Sequence, residues 1–195
     1  MEFRQYEKDD PKSDRRCVYV SKVDPKVTAY TKHGPQYFPV LLDIFKKYNP
    51  EMLIELGTCY GGATLVFHEE MPDVEIHTFD NKADVAVNVL AAFDLHKVYF
   101  YVEDILDNNL MLADFLRDNA GRRKILYCDN GNKEKELKTY AKYLAKGDVI
   151  GCHDWISEVN PEVIHPFMDF MKFAQLKENV KLREEGVRSR FWIKL

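Results

Sequence analysis

Two places in this chain carry side chains that could hold a divalent cation. Asp129 ends the apolar run Lys124-Ile-Leu-Tyr-Cys, and the pair His153-Asp154 ends the run Asp148-Val-Ile-Gly-Cys. If the two runs are neighbouring parallel strands, two carboxylates and an imidazole meet at one sheet edge. Such a set can bind a cation and leave positions open for substrate oxygens. The competing use of the same residues is a pair of helix caps with a buried histidine. A third place could receive an anion. Met52-Leu-Ile-Glu-Leu-Gly-Thr-Cys-Tyr-Gly-Gly62 reads as a buried strand, an acidic residue and a glycine-rich turn that opens a helix. Bare backbone lets a ligand come close, and a helix N-terminus favours negative groups. Glu55, Gly57, Thr58, Tyr60, Gly61 and Gly62 are the candidate binding residues of this turn, although a tight strand-to-helix turn without a ligand would use the same glycines. Gly57 and Gly62 have the separation of a dinucleotide motif, but its middle position holds Cys59, whose side chain obstructs a pyrophosphate.

The elements that would position these residues follow from hydrophobic periodicity. Apolar Phe38, Leu41, Leu42 and Phe45 recur at helical spacing over 36–47, and Asn49-Pro50 stops that helix. Strand and helix then alternate: strands at 52–56, 74–79, 97–102, 124–128 and 148–152, with helices at 62–70, 84–95, 109–119 and 134–145. The tail reads as a helix over 160–176 and two strands, 180–183 and 190–194, joined through Gly186. Such alternation predicts a parallel sheet with helices on both faces. Ligands of such sheets sit outside the carboxyl ends of the strands. Asp80 ends the second strand there and is placed to accept hydrogen bonds from ribose hydroxyls, or else to cap a helix. Tyr60 and Trp155 are candidate pocket walls. Residues 1–33, charged and broken by Pro11 and Pro25, read as an N-terminal arm ahead of a domain over 34–195.

The pattern Glu55-x-Gly57 with Gly61-Gly62 resembles motif I of the class I S-adenosylmethionine (AdoMet) dependent methyltransferases. Its context, Asn49-Pro-Glu-Met-Leu-Ile-Glu-Leu-Gly-Thr and then Gly-Gly-Ala-Thr, is similar to one branch. That branch holds the cephalosporin hydroxylase-like proteins and the metal-dependent small-molecule O-methyltransferases. The resemblance spans about residues 36 to 155. It implies a Rossmann-like three-layer α/β sandwich with a seven-stranded, mostly parallel sheet whose last strand is antiparallel. It also implies that the glycine turn holds the methionine half of AdoMet. A carboxylate after the third strand, Asp104 or its rival Glu103, would approach the adenine amino group, and a helix N-cap is the equal alternative for Asp104. Asp129, His153 and Asp154 would bind a divalent cation that polarises an acceptor hydroxyl, so Asp129 and His153 are the candidate catalytic residues. Two positions depart from the family. His153 stands where an acid is common, which moves metal preference from magnesium towards manganese, iron or zinc. Asn132 stands where relatives often carry a lysine or histidine, and it cannot act as a base, which leaves the metal alone, Lys133 or His153 for that role.

Composition narrows the function classes. At 195 residues, 46% hydrophobic and 31% charged, the chain reads as one globular domain. Its net charge of -4 gives no electrostatic footprint for nucleic acid. No apolar run approaches a membrane span, and Met1–Asp10 has no secretory core. The four cysteines have no C-x-x-C spacing, so reduced thiols in a cytoplasmic protein are expected. The reading is an AdoMet-dependent O-methyltransferase acting on a small-molecule hydroxyl with a divalent cation. Rivals are an NAD-dependent oxidoreductase on a Rossmann sheet and a non-catalytic AdoMet-binding protein of the same fold. In the resembling enzymes the first thirty-odd and last forty residues encode substrate choice and oligomer contacts, a homodimer among them.

Overall fold

The computed structural model describes residues 1–5, 17–82 and 96–195; the helix expected over 84–95 lies outside them. In chain order the elements are β1 (Glu2–Gln5), β2 (Cys17–Val20), β3 (Thr28–Thr31), α1 (Tyr37–Tyr48), β4 (Met52–Leu56), α2 (Gly62–Glu70), β5 (Glu75–Asp80) and β6 (Val98–Val102). They continue with α3 (Asn109–Asp118), β7 (Lys124–Cys128), α4 (Lys133–Tyr140), β8 (Val149–Cys152), α5 (Pro161–Phe170), β9 (Phe173–Gln175), α6 (Asn179–Glu184) and β10 (Arg190–Lys194). Seven strands form one sheet in the order β6-β5-β4-β7-β8-β10-β9. Strands β4 to β8 pair in parallel, while β10 runs antiparallel to both β8 and β9. This is the Rossmann-like sandwich expected, with its last strand reversed.

The central strands are buried on both faces, which is why they read as continuous apolar runs. Side chains alternate across the sheet, so Leu53, Ile125 and Val149 join one core with Phe38, Leu41 and Phe45 of α1 and Leu65 of α2. Met52, Ile54, Leu126 and Ile150 join a second core with Leu112 and Leu116 of α3 and Leu137 of α4. Burying one such side chain contributes about 1.5–3 kcal/mol.

Two readings of the tail are corrected. The helix over 160–176 stops at Phe170, because Lys172 takes a left-handed backbone (φ 59°) and sends Phe173 back into the core as the edge strand β9. The segment 180–183 is helical rather than extended. Asn179 starts that helix and locks it to β10, donating to the Phe191 carbonyl (2.8 Å) and accepting from the Phe191 N–H (2.9 Å). With only Leu182 buried within 180–183, so short a window fits either period. The partner of β10 in the closing hairpin is therefore β9.

Three short strands lie within the segment read as an arm. The antiparallel sheet β1-β2-β3 packs Tyr19 and Ala29 into the core of α1 and α2, and Tyr30 bridges in parallel to Gly61 at the start of α2. A Cβ at residue 62 would overlap the Tyr30 carbonyl oxygen, so this motif glycine is required by the approach of β3. Gly62→Ala is accordingly expected to cost about 1–3 kcal/mol of unfolding free energy, the range for overpacking. Urea unfolding measures the loss, and hydrogen exchange should quicken in Thr28–Thr31 while β4 stays protected. An unchanged midpoint would remove the steric account.

Candidate functional site

The sheet register assembles the site. Phe79, Leu56, Cys128 and Cys152 form one row across β5, β4, β7 and β8. One residue further along each strand stand Asp80, Gly57, Asp129 and His153. Backbone bonds extend the ladder to this level: the Gly57 N–H donates to Phe79 O (2.8 Å), Asp129 N–H to Leu56 O (2.8 Å) and His153 N–H to Cys128 O (3.1 Å). All four residues line a cavity of about 610 Å³, together with Thr58, Cys59, Tyr60 and Gly62 of the glycine turn. A Cβ on Gly57 (φ 107°) would stand 2.6 Å from the Asp129 carbonyl oxygen, so only glycine lets these two strand ends approach.

The glycine turn is braced from behind. Gly61 is the N-cap of α2 in a left-handed conformation, with no side chain capping the helix. Asp80 accepts from the Cys59 N–H (2.8 Å) and the Lys82 N–H (3.1 Å), which fixes its carboxylate on the cavity wall. Glu55 does not reach that wall. It is buried on the α2 face, where Thr64 (2.5 Å) and Thr78 (2.7 Å) donate to its Oε2, and Thr58 and Thr78 hydroxyls lie 2.6 Å apart beside it. Asp104 lies two residues beyond the strand row and is exposed. Its Oδ1 accepts from the Leu106 (3.0 Å) and Asp107 (3.3 Å) N–H groups, closing a turn ahead of α3; the helix cap expected as its alternative falls to Asn108 instead. Trp155 packs against Trp192 and His165 in the core rather than lining the cavity, whereas Tyr60 does line it.

At the other end of the cavity, Asp129 is gripped from two sides. His33 Nε2 lies 2.8 Å from its Oδ2, and His153 Nδ1 lies 3.4 Å from its Oδ1. Asp154, with φ 52°, turns back to place Oδ2 3.1 Å from His153 Nδ1 and 3.2 Å from Lys133 Nζ. Lys133 is buried and also meets Glu158 Oε2 at 2.8 Å. The three residues named from sequence are thus gathered, but His33, Lys133 and Glu158 complete the cluster. His33 could not be found from a segment that reads as an arm. Glu158 follows a tight loop after β8 and has no motif around it. Asn132 is exposed as the N-cap of α4, so the next residue, Lys133, is the one that faces the cavity.

Burial penalises every charge here, and the partners reverse its effect. Burial raises the Asp129 carboxyl, but His33 and His153 hold it well below the usual carboxylate range. Burial lowers the His153 imidazole, but hydrogen bonds to Asp129 and Asp154 push it up to about 9. The bond to His153, followed by the charge of Lys133, brings Asp154 down to about 2 against burial. Burial also opposes the charge on Lys133, but Glu158, Asp129 and Asp154 raise its pKa, so it stays an ammonium. At neutral pH Lys133 is a fixed positive charge rather than a base. His33, Asp129 and His153 can each point one donor atom into a sphere where those atoms lie within 4.8 Å of one another.

No protein-family model matches the sequence, and no curated protein matches it. Solved structures share its fold. CmcI in its apo form gives a TM-score of 0.66 at 16% identity, over 85% of this chain and 74% of that one. A methyltransferase from Geobacter sulfurreducens gives 0.60 at 18% identity, over 84% and 80%. The mycinamycin-pathway methyltransferase MycE, solved with Mg, SAH and mycinamycin VI, gives 0.58 at 14% identity, over 84% of this chain and 51% of that one. CmcI solved with Mg and SAM gives 0.64 at 15% identity, over 85% and 74%. At these identities the likeness concerns the fold.

Glu55 makes the site's support sensitive to pH. Burial, only partly offset by its threonine donors, pushes its carboxyl up to about 7 from an ordinary 4.5. The folded chain therefore keeps a proton that the unfolded chain releases between those values. The resulting stability is complete below about pH 4.5 and lost as pH rises to 7, a difference of roughly 3 kcal/mol. Glu136, buried on α4 with neither carboxylate oxygen hydrogen-bonded among the described residues, is pushed up to about 8 and acts in the same direction. Glu55→Gln should flatten the decline in unfolding free energy between pH 4.5 and 7 and leave the part due to Glu136. Urea titrations across that range measure it, and a slope identical to that of the unaltered chain would count against the assignment.

Proposed function

We propose that the chain is an AdoMet-dependent O-methyltransferase that acts on a hydroxyl of a small molecule with the help of a divalent cation. One observation carries this reading: Asp80, Gly57, Asp129 and His153 form a single row at the carboxyl edge of the sheet and line one cavity. With Asp80 at one end, Asp129 and His153 at the other and the bare glycine turn between, the row supports reading Asp80 as an acceptor for ribose hydroxyls and the far pair as cation ligands. The residues fit both groups. Asp80 keeps lone pairs free beyond the two N–H bonds it accepts, and α2 offers its positive end to a carboxylate. The imidazole and carboxylate donors converge where a cation would be held.

When bound, AdoMet supplies an electrophilic methyl group, and a cation lowers the pKa of an acceptor hydroxyl. The chain's own work is alignment and charge. Asp80 and the glycine turn would hold the cofactor and fix its orientation towards the Asp129 end of the cavity. Asp129 and His153 place the acceptor at the far end of the cavity. Lys133, held charged by Asp154 and Glu158, contributes a fixed positive field beside the developing alkoxide. Glu55 acts indirectly by tying β4, β5 and α2 together beneath the turn.

The structural neighbours solved with SAM or SAH and Mg support this reading through the shared fold. A dinucleotide fits less well, because Cys59 lies on the cavity wall where the pyrophosphate motif has glycine. Among the described residues no helix is long and apolar enough to cross a membrane. Calorimetry with AdoMet, its demethylated product and NADH, each with and without Mg²⁺ or Mn²⁺, tests the proposal. AdoMet should bind and NADH should not; the reverse would replace it with the oxidoreductase reading. Asp129→Ala should weaken metal binding and slow methyl transfer on the order of 100-fold, the scale for losing a positioned group at a charged centre. Unchanged metal affinity and turnover in that variant would remove the metal-assisted step.

A further inference from the structure

We propose that His33, supplied by the N-terminal segment, is a cation ligand, so that His33, Asp129 and His153 form a two-histidine, one-carboxylate set selecting a first-row transition ion over magnesium. The inference rests on the reading above that a divalent cation belongs at this edge, and it changes which residues hold the ion and which ion is held.

Geometry carries it. The donor atoms of His33, Asp129 and His153 lie within 4.8 Å of one another. Tetrahedral ligands about 2.0–2.2 Å from a common ion stand about 3.3–3.6 Å apart, so a closure of little more than about an ångström completes the set. Each histidine faces a different oxygen of the same carboxylate: His33 Nε2 is 2.8 Å from Oδ2, and His153 Nδ1 is 3.4 Å from Oδ1. Their rings meet edge to face with centroids 4.5 Å apart.

His33 is also held ready. Its ring stacks on the buried Tyr37 (4.2 Å, 16°), and its backbone N–H donates to Thr31 Oγ1 (3.0 Å). The Cys17 thiol donates to its carbonyl (3.1 Å), tying the loop to β2. All three ligand residues line the cavity, which leaves room for further oxygen ligands.

Asp154 is engaged elsewhere. Its Oδ2 lies 3.2 Å from Lys133 Nζ, and it is not among the residues whose donors share the sphere. It orients His153 and, with Glu158, neutralises Lys133, whose ammonium lies 3.9 Å from Asp129 Oδ1. Two imidazoles and one carboxylate suit manganese, iron, cobalt or zinc. Magnesium prefers oxygen ligands in a near-octahedral shell.

The test uses the full chain stripped of metal with a chelator. Calorimetric titration should give Co²⁺ or Zn²⁺ a dissociation constant on the order of 100-fold below that of Mg²⁺. The electron paramagnetic resonance of bound Cu²⁺ should show coupling to two nitrogens, and a single nitrogen in the unaltered chain overturns the proposal without recourse to a variant. In His33→Asn, which keeps a polar donor towards Asp129, Co²⁺ affinity should fall about 10- to 100-fold. One nitrogen coupling should disappear, while far-ultraviolet circular dichroism stays the same. Unchanged Co²⁺ affinity and nitrogen count in that variant would mean that His33 only positions Asp129. Methyl transfer is read separately. A two-nitrogen site with no transfer upholds the ligand set and removes the proposed function. Full transfer with Mg²⁺ in His33→Asn upholds that function and removes the ligand set.

Discussion

The carbonyl of Asp129 occupies the space that a side chain at residue 57 would fill, and the rest of the site depends on that close approach of two strand ends. Because Gly57 yields the space, β4 and β7 can run in register to their last residues, and Asp129 emerges level with Asp80 and His153. A bulkier residue would push the two ends apart and separate the Asp80 end of the cavity from the Asp129 end. Gly62 has a comparable origin, since it makes room for the Tyr30 carbonyl. Two glycines that look like a ligand signature are thus required by the protein's own backbone. Any ligand benefits from bare turns that the fold already needs.

Charge is the second constraint. Asp129, His153 and Lys133 are largely withdrawn from water, where isolated ions are costly, so each survives only because its partners are close. The proton on His153 occupies the interior of this cluster at neutral pH. A cation entering the same space would displace it, because a metal-bound imidazole must be neutral. The cluster therefore sets an exchangeable positive charge at His153 beside the fixed ammonium of Lys133.

Much of this was legible in the sequence. Five strands announced themselves as runs ended by chemistry-bearing residues, and β4, β7 and β10 begin and end where periodicity placed them. Asp80, Asp129, His153 and Asp154 were identifiable because residues at the carboxyl ends of parallel strands face the ligand side of any such sheet. Short elements without a decisive period were not legible. Residues 173–175 and 180–183 can be read as helix or strand until Lys172 and Asn179 show how the chain turns. The strands β1 to β3 are no better marked, since each is four residues long and set among charged stretches broken by Pro11 and Pro25.

By itself the sequence determined the sandwich, the strand ends and the residue types available there, because these follow from local periodicity and the polarity of βα units. Only the tertiary structure decided which residues serve. It withdrew Glu55 behind the turn and left Asp104 capping its own loop. It turned Lys133 rather than Asn132 into the cavity and brought His33 to Asp129 across ninety-six residues of chain. The physical reason is the range of the interactions involved. Strand and helix patterns are written in neighbouring residues. The burial of Glu55 and the meeting of His33 with Asp129 depend on contacts between distant segments, which no local spacing records.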